Sequence, residues 1–475
     1  MKKTSRIEHD FLGDKEISND CYYGVQTLRA LENFPITGIA ISTAPELIWA
    51  LAQVKKAAAI ANMELGVLPA GICNAITAAC DEIIDGKLQD QFLVDVIQGG
   101  AGTSTNMNAN EVIANRAIEI LGHEKGEYQY CHPNNHVNCS QSTNDAYPTG
   151  FRIALYRKLS GLIVCLEYLQ KSFAAKGVEF SDVLKMGRTQ LQDAVPMSLG
   201  QEFSAYATTI GEDVERVREA QKLILEINMG ATAIGTCINA PADYTRIVTN
   251  HLRSLTGIPV VTSANLIEAT WDTGAYVQIA AVLKRVAVKT SKICNDLRLL
   301  SSGPRCGFNE INLPPLQPGS SIMPGKVNPV IPEVVNQVAY YVIGADLTVT
   351  MAAENGQLEL NVMEPVIAYS LFNSVSLLCN AFKVLADKCV DGITANREHC
   401  REMVLNSIGI VTALNPIIGY ENSALVAREA LATGRSVYDL VQEKKLMDKR
   451  LLDEVLSTEN LLHPRFINHR GETGK

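Results

Sequence analysis

Apolar residues recur at alternating steps of four and three in two long stretches in the middle of the chain. Between Phe151 and Lys176 they fall at Leu155, Leu159, Leu162, Leu166, Leu169 and Phe173. Between Ile267 and Ser301 the mostly apolar series is Ile279, Leu283, Val286, Thr290, Ile293, Leu297 and Leu300. Because steps that sum to seven keep one stripe on a helix, the pattern predicts helices packed nearly parallel in a bundle.

Three further long helices are predicted, over Gln201–Asn228, Glu333–Glu354 and Val366–Lys388. The last two contain no proline and are apolar on nearly every side. A helix that is apolar all round must be buried all round. Since contact between subunits would bury such helices more easily than one subunit could, the pattern predicts a homo-oligomer.

The two ends of the chain have a different pattern. Pro45–Leu65 and Ala70–Asp85 are predicted to be shorter helices, and short helices are expected again after Asp391, where Ser436 is a predicted N-cap. Strands are scarce, so we expect a mainly α fold. The predicted short strands are Gly257–Thr262 and Tyr128–Cys131.

The length of the chain indicates its number of domains, and its net charge argues against one class of protein. A chain of 475 residues is long enough for roughly three domains. The net charge of −9 argues against a protein that coats nucleic acid, although a site for an anionic substrate needs only local positive charge. The expected domains are an N-terminal, mainly helical one (1–140), a central long-helix bundle (141–396) and a small C-terminal helical one (397–475).

Cysteine use and the N-terminus bear on location. The 12 cysteines include no Cys-x-x-Cys pair, which favours reduced thiols in the cytoplasm. The N-terminus has no apolar core of a signal sequence, and no run of 18 apolar residues predicts a membrane span. The grouping of His132, His136 and Cys139 has no second cluster nearby, so no metal site is expected there.

Four segments are poor in core residues and rich in hydroxyls, amides and glycines. They are Gly99–Asn108, Ser140–Asp145, Gly187–Asp193 and Gly319–Pro329. Alone, each is more typical of a turn or a helix cap, and the second is predicted to cap a helix near Asp145. Together with Lys326, their donors suit a small, multiply charged anion. Gly319 and Gly325 indicate a mobile loop that could close over such a substrate.

These segments offer side-chain protons and electrostatics rather than cofactor chemistry, since they contain no cofactor fingerprint or metal triad. An eliminating lyase fits that inventory. It needs a base that removes a carbon-bound proton and donors that hold the carbanion as an aci-carboxylate. No cofactor is therefore expected, and the sequence leaves open whether a divalent metal activates the protein.

The eleven residues Gly319–Pro329, GSSIMPGKVNP, resemble the signature of the fumarase/aspartase superfamily. The resemblance covers nearly the whole chain, including Tyr22–Arg29, Gly102–Asn110, Gln141–Thr149 and Gly187–Glu202. It implies a three-domain, mainly helical subunit whose five central helices join those of three other subunits in a tetrameric twenty-helix core. It also implies active sites built from three different subunits.

Three positions resemble the aspartase members more than the fumarases. Gln190 stands where fumarases usually carry His, Tyr22-Tyr23 where they tend to have Trp-Gly, and Ser142–Asn144 where they tend to have Ser-Ser-Asn. The resemblance thus implies reversible elimination of ammonia from L-aspartate, giving fumarate. The alternatives are fumarate hydration, a lyase for a substituted aspartate such as 3-methylaspartate, and a catalytically silent helical oligomer.

The resemblance also implies a role for each of ten residues. Ser320 would be the base that takes the Cβ proton. The β-carboxylate, as it becomes the aci-carboxylate, would be held by Thr103, Ser142, Thr143 and Ser321. The α-carboxylate would be bound by Lys326 and Asn328, and the amino group would be surrounded by Asn144, Thr189 and Gln190.

Two further positions and one departure qualify these roles. Arg29 resembles a position that influences activity in aspartases. Glu333 matches the fumarase Glu that pairs with the His at position 190, but Gln190 cannot accept a proton, so the usual water-activating base is missing. Ser320 must itself be activated, and Lys326 together with backbone N–H groups could stabilise its oxyanion. The acid that protonates ammonia is left unidentified.

Overall fold

The computed structural model describes residues 4–463, and this part of the chain is mainly helical. The helices are α1 Val25–Asn33, α2 Pro45–Glu64, α3 Ala70–Ile84, α4 Thr103–Ile120, α5 Thr143–Glu179, α6 Leu199–Gln221, α7 Tyr244–Thr256, α8 Glu268–Trp271, α9 Gly274–Leu300, α10 Val330–Glu354, α11 Glu364–Lys388, α12 Arg397–Asn406, α13 Val411–Ile418, α14 Tyr420–Thr433, α15 Val437–Glu443, α16 Lys449–Val455 and α17 Thr458–Leu462. The strands are β1 Ser5–Asp10, β2 Gly13–Ser18, β3 Leu184–Thr189, β4 Gln192–Ser198, β5 Glu226–Ile227, β6 Val261–Thr262, β7 Ile311–Asn312 and β8 Thr394–Ala395.

The described chain divides into two compact units. The first unit comprises residues 4–164, 214–287 and 339–379, and the second unit comprises residues 165–213, 288–338 and 380–463. Each unit is therefore assembled from three separate chain segments. The expected division at residues 140 and 396 into three domains stays a prediction.

The five predicted long helices are present, as α5, α6, α9, α10 and α11. The predicted apolar series in α5 is buried, with every member at most 1% exposed, and the series in α9 is at most 5% exposed. The bounds differ from expectation, since α5 begins eight residues before Phe151 and α6 ends at Gln221 rather than at Asn228. The two short helices predicted near the N-terminus are α2 and α3.

Helix α10 keeps an apolar stripe at its surface. Tyr340, Leu347 and Met351 are 60%, 60% and 64% exposed. Gly344, which lies between them on the same face by helical spacing, has no neighbouring atom within 4 Å of an added Cβ. A second apolar surface could therefore approach this stripe closely.

Strand prediction succeeded in one place and failed in others. Val261 and Thr262, within the predicted Gly257–Thr262 strand, pair in parallel with β5. The predicted strand at Tyr128–Cys131 is wrong, because those residues form a turn followed by a bend. The antiparallel hairpins β1–β2 and β3–β4 were not predicted.

The C-terminal helices form their own apolar core in the second unit. Its buried members include Val404, Leu414, Val426 and Leu440, and β3 packs Leu184 and Met186 into the same core. The predicted N-cap is confirmed, since Ser436 Oγ accepts a hydrogen bond from the N–H of Asp439 at 3.1 Å. This core is the platform for the β3–β4 hairpin.

Within residues 4–463, one helical segment, Glu364–Gly392, which comprises α11 and the four residues after it, is long and apolar enough to cross a membrane by length and composition alone. Of its most apolar window, 61% is buried inside the protein. The core helix of a water-soluble protein has the same properties, so this helix is weak evidence for a membrane span.

Candidate active site

The segment Gly99–Asn108 contains the start of helix α4. Gly102 has φ +87°, and an added Cβ would lie 2.6 Å from the ring of Tyr147. Only glycine fits there, because both the backbone conformation and the space exclude a side chain. Thr103 follows as the first, exposed residue of α4, and its hydroxyl donates to the carbonyl of Gly100 at 2.7 Å.

The segment Ser140–Asp145 caps helix α5, as predicted. Ser142 Oγ accepts from the N–H of Asn144 at 3.3 Å, and Asp145 Oδ1 accepts from the N–H of Ser142 at 2.9 Å. This reciprocal pairing is a capping box, with Asp in place of the usual Glu. The Asp145 carboxylate also accepts the N–H groups of Gly230 and Thr232, at 3.0 and 2.9 Å.

Burial raises the pKa of the Asp145 carboxyl to about 6, against the effect of its backbone donors. Asn144 is also held, since its Nδ2 donates to the carbonyl of Ala233 at 2.8 Å. The predicted carboxylate and amine contacts Ser142, Thr143 and Asn144 therefore stand on a helix start that long-range hydrogen bonds hold in place.

A buried lysine lies behind this helix start. Lys55 on α2 donates to Asn106 Oδ1 at 2.7 Å, Asn138 Oδ1 at 2.9 Å and Gln141 Oε1 at 2.8 Å. Asn106 in turn donates from Nδ2 to Thr143 Oγ1 at 3.1 Å. Burial lowers the pKa of the Lys55 amine to about 7, with the charge of Asp145 opposing that effect.

Sequence reasoning did not find Lys55 or assign a role to Asn106. The one signal was the position of Lys55 inside the strongly apolar α2, where a lysine has few ways to reach solvent. Its partners are 51, 83 and 86 residues away along the chain, so local spacing carries no trace of the network.

The segment Gly187–Asp193 forms the turn of the β3–β4 hairpin. Thr189 and Gln190 are exposed, and both Gln190 and Leu191 have positive φ, 55° and 62°. Two successive left-handed residues are the pattern of a type I′ hairpin turn, which usually takes Asn or Gly. Holding such residues there costs energy, of order 1 kcal/mol each, which the rest of the hairpin must offset.

A buried ion-pair cluster anchors that hairpin in the second unit. The Glu310 carboxylate has no exposed surface and lies 2.7 Å from the guanidinium of Arg188 and 3.1 Å from the amine of Lys185. The amine of Lys185 also pairs with Glu202 at 2.6 Å. Since Arg188 directly precedes Thr189, the cluster fixes the strand that carries the predicted amine-binding residues.

The signature segment Gly319–Pro329 folds back on itself. The N–H of Gly319 donates to the carbonyl of Lys326 at 2.7 Å, and Asn328 Nδ2 donates to the carbonyl of Gly319 at 2.8 Å. Ser320 Oγ accepts two backbone N–H groups, from Ile322 at 3.2 Å and Met323 at 3.1 Å. Ser320 thus already faces donors that would stabilise negative charge on its oxygen.

The ten predicted site residues fall on four structural elements. The starts of α4 and α5, in the first unit, carry Thr103, Ser142, Thr143 and Asn144. The second unit carries Thr189 and Gln190 on its hairpin turn and Ser320, Ser321, Lys326 and Asn328 on the signature segment. Between described residues of the second unit, no hydrogen bond joins that turn to that segment.

Arg29 and Glu333 have defined places as well. Arg29 on α1 makes a two-pronged ion pair with Asp10, both contacts at 2.8 Å, and lowers the pKa of that carboxyl. It also donates to the carbonyl of Gly13, so it ties α1 to the β1–β2 hairpin. Glu333 lies in the first turn of α10 and is half-buried.

The ring nitrogens of His132 and His136 accept hydrogen bonds from backbone N–H groups within a turn. Nδ1 of His132 accepts from the N–H of Asn134 at 3.0 Å, and Nδ1 of His136 accepts from the N–H of His132 at 2.8 Å. Within residues 4–463, no group of three His, Cys, Asp or Glu side chains is arranged to hold a metal ion.

Comparison with protein families gives two matches. Residues 13–344 match the family described as Lyase, and residues 410–463 match the family described as Fumarase C C-terminus. Together these matches cover most of both units.

Comparison with individual proteins extends that likeness to 98% of the chain. An aspartate ammonia-lyase of Helicobacter pylori (strain 26695) is 60% identical over 466 residues, covering 98% of this chain and 100% of that protein. An aspartate ammonia-lyase of Escherichia coli (strain K12) is 58% identical over 467 residues, covering 98% of each.

Two crystal structures are similar. A fumarate lyase:delta crystallin from Brucella melitensis, bound to cobalt, has a TM-score of 0.94 at 55% identity over 97% of this chain and 100% of its own. A recombinant class II fumarase from Schistosoma mansoni has a TM-score of 0.92 at 34% identity over 97% of this chain and 99% of its own. The mainly helical fold is therefore that of fumarase-like lyases.

Proposed function

We propose, since this chain belongs to the fumarase/aspartase family of lyases, that it eliminates ammonia reversibly from L-aspartate to give fumarate. The observation that carries the proposal is the 60% identity to an aspartate ammonia-lyase over 98% of the chain. Identity to the class II fumarase is only 34%. Gln190 points the same way, because an amide cannot act as the base that activates water.

In the proposed mechanism Ser320 removes the Cβ proton. A serine hydroxyl is too weak a base at neutral pH unless its oxyanion is stabilised. The N–H groups of Ile322 and Met323 already donate to Ser320 Oγ, which supports this role, and Lys326 on the same segment would add a full positive charge.

The two carboxylates of the substrate would be held by hydroxyls, an amide and one charge. For the β-carboxylate we propose Thr103, Ser142, Thr143 and Ser321. For the α-carboxylate we propose Lys326 and Asn328. The position of Ser142 and Thr143 at the start of α5 supports the assignment to the β-carboxylate, since the dipole at a helix N-terminus favours an anion.

We place Asn144, Thr189 and Gln190 around the departing amine. Their exposed or half-exposed positions on the α5 start and the hairpin turn leave them open to a ligand. Glu333 would lack the His partner that it has in fumarases, and Arg29 would act at a distance through its pair with Asp10. The reaction so described needs no cofactor.

We also propose a homotetramer with active sites shared between subunits, whose core joins the five long helices of each copy. The exposed stripe of Tyr340, Leu347 and Met351 supports this, because a face so apolar is more stable against another subunit than in water. For location we propose the cytoplasm, since all 12 cysteines are free thiols.

The test of the function is fumarate formation, followed by ultraviolet absorbance, with L-aspartate and L-malate in parallel. We expect turnover of aspartate and none of malate. Turnover of malate alone would make fumarate hydration the function and remove Gln190 as a discriminator. If a correctly assembled oligomer formed fumarate from neither substrate, the remaining functions would be a lyase for a substituted aspartate or a non-catalytic role.

Replacing Lys326 by alanine should mainly weaken substrate binding. The change removes a charge-assisted contact to the α-carboxylate, so KM for aspartate should rise roughly 10- to 100-fold. Steady-state kinetics of Lys326→Ala and of Lys87→Ala check this, since the Lys87 side chain is 64% exposed and remote from the assigned residues in sequence. An unchanged KM in Lys326→Ala would remove Lys326 as the carboxylate ligand.

A further inference from the structure

Lys55 carries a buried amine whose three hydrogen bonds all go to neutral oxygens. Its side chain has no exposed surface, and its three acceptors are the amide oxygens of Asn106, Asn138 and Gln141. Among the described residues, no carboxylate lies within ion-pair distance of its amine. Three donated hydrogen bonds need all three N–H groups of the ammonium form, and because that form only donates, it imposes one direction on the hydrogen bonds around it.

The fixed direction of the Lys55 hydrogen bonds also determines how Asn106 contacts Thr143. Since Lys55 occupies Asn106 Oδ1, the amide of Asn106 must turn its Nδ2 toward Thr143, and Nδ2 lies 3.1 Å from Thr143 Oγ1. An amide N–H₂ only donates, so the Thr143 oxygen is an acceptor in this contact. The hydroxyl proton of Thr143 must then point elsewhere, and no described residue accepts it.

We propose that Lys55 and Asn106 are positioning residues that orient the Thr143 hydroxyl, so that its proton is directed at the β-carboxylate of the substrate. The inference rests on the proposed function, because it takes Thr143 as a ligand of that carboxylate. A hydroxyl whose direction is set before the substrate arrives needs no reorganisation when the aci-carboxylate forms.

The backbone geometry around the helix start fits this role. Thr143 is the first residue of α5, and the capping box of Ser142 and Asp145 fixes its backbone. Only the rotation of the Thr143 hydroxyl is left for side chains to determine. Asn106 Nδ2 also donates to Asn138 Oδ1 at 3.2 Å, and Lys55 donates to that same oxygen. Flipping the Asn106 amide would therefore break its hydrogen bonds with both Lys55 and Asn138.

The decisive variant is Asn106→Asp, with Asn106→Ala as its comparison. The new carboxylate side chain has nearly the same shape as the amide and would pair with Lys55, but it cannot donate a hydrogen bond. The Thr143 hydroxyl would therefore turn its proton toward residue 106. We expect kcat/KM for aspartate to fall roughly 10- to 100-fold in Asn106→Asp and less in Asn106→Ala. A merely structural role predicts the opposite order, because alanine removes one of the three acceptors of the buried Lys55 amine whereas aspartate keeps it.

A double-mutant cycle with Thr143→Val separates hydroxyl direction from simple charge repulsion. If Asn106→Asp acts through the Thr143 hydroxyl, most of its effect on kcat/KM disappears in the Thr143→Val background. An equal loss in both backgrounds overturns the inference. Thermal unfolding of each variant shows whether lost activity merely reflects lost folded protein.

The activity of the wild-type protein distinguishes a failure of the proposed function from a failure of this inference. If the wild-type protein does not form fumarate from aspartate, the proposed function has failed and the inference fails with it. If the wild type is active and Asn106→Asp is more active than Asn106→Ala, only the inference has failed. Should Asn106→Ala not fold, the cycle of Asn106→Asp with Thr143→Val decides the matter alone.

Discussion

Replacing Ser320 by alanine is expected to lower kcat for aspartate roughly 10²- to 10⁴-fold while leaving KM within a few-fold of its wild-type value. The change deletes the group proposed to take the Cβ proton, but it leaves Lys326 and Asn328, the proposed α-carboxylate ligands, in place. The two backbone N–H groups that now donate to Ser320 Oγ would be freed to bind water. Initial rates over a range of aspartate concentrations measure both constants.

The matched control is Ser321→Ala, the neighbouring hydroxyl on the same segment. Because Ser321 is proposed to bind the β-carboxylate, its loss should act more on KM than Ser320→Ala does. Exchange of the Cβ proton with deuterated solvent, followed by NMR, isolates the proposed step and should stop in Ser320→Ala. If Ser320→Ala kept most of its kcat, Ser320 would not be the base.

Replacing Glu310 by glutamine should destabilise the second unit by about 3–5 kcal/mol, the usual penalty for removing one partner of a buried ion pair. The change leaves Arg188 without its carboxylate partner and Lys185 with Glu202 alone. Urea unfolding of variant and wild type, with the same assembled protein, measures the difference.

The control for this prediction is Glu202→Gln, which removes the other carboxylate of Lys185. The Glu202 side chain is 21% exposed whereas that of Glu310 is fully buried, so solvent can compensate for the loss and the effect should be much smaller. A loss from Glu310→Gln no larger than that from Glu202→Gln would contradict the argument from burial. Because Arg188 precedes Thr189 and Gln190, kcat/KM should also fall in Glu310→Gln.

Prediction from the sequence worked where a local pattern repeats over many residues. The stripe in α5 recurs over five steps, so it specifies a long helix whatever surrounds it, although not where the helix begins. The capping of α5 at Ser142 and of α15 at Ser436 was predictable for the same reason, since donor and acceptor lie within three residues.

Prediction failed where the signal is short. The β3–β4 hairpin turns at Gln190 and Leu191, whereas such turns usually contain Asn, Asp or Gly. The local sequence therefore did not predict the hairpin. The interpretation of Gly99–Asn108 as a turn or helix cap holds for Gly99–Gly102, which ends in the N-cap of α4, but from Thr103 onward the segment is the first part of an 18-residue helix. Its polar residues are buried by partners from distant segments, as the contact of Asn106 with Lys55 illustrates.

The sequence by itself determined the mainly helical fold, the long helices and the family signature, because each depends on residues close together in the chain. Only the tertiary structure decided which charged residues are interior. Lys55, Glu111 and Glu310 are all buried, and Glu111 accepts the N–H groups of Gly24 and Gln26 from more than 80 residues away. A charge is tolerated inside a protein only when donors or acceptors converge on it, and that convergence is a property of the fold.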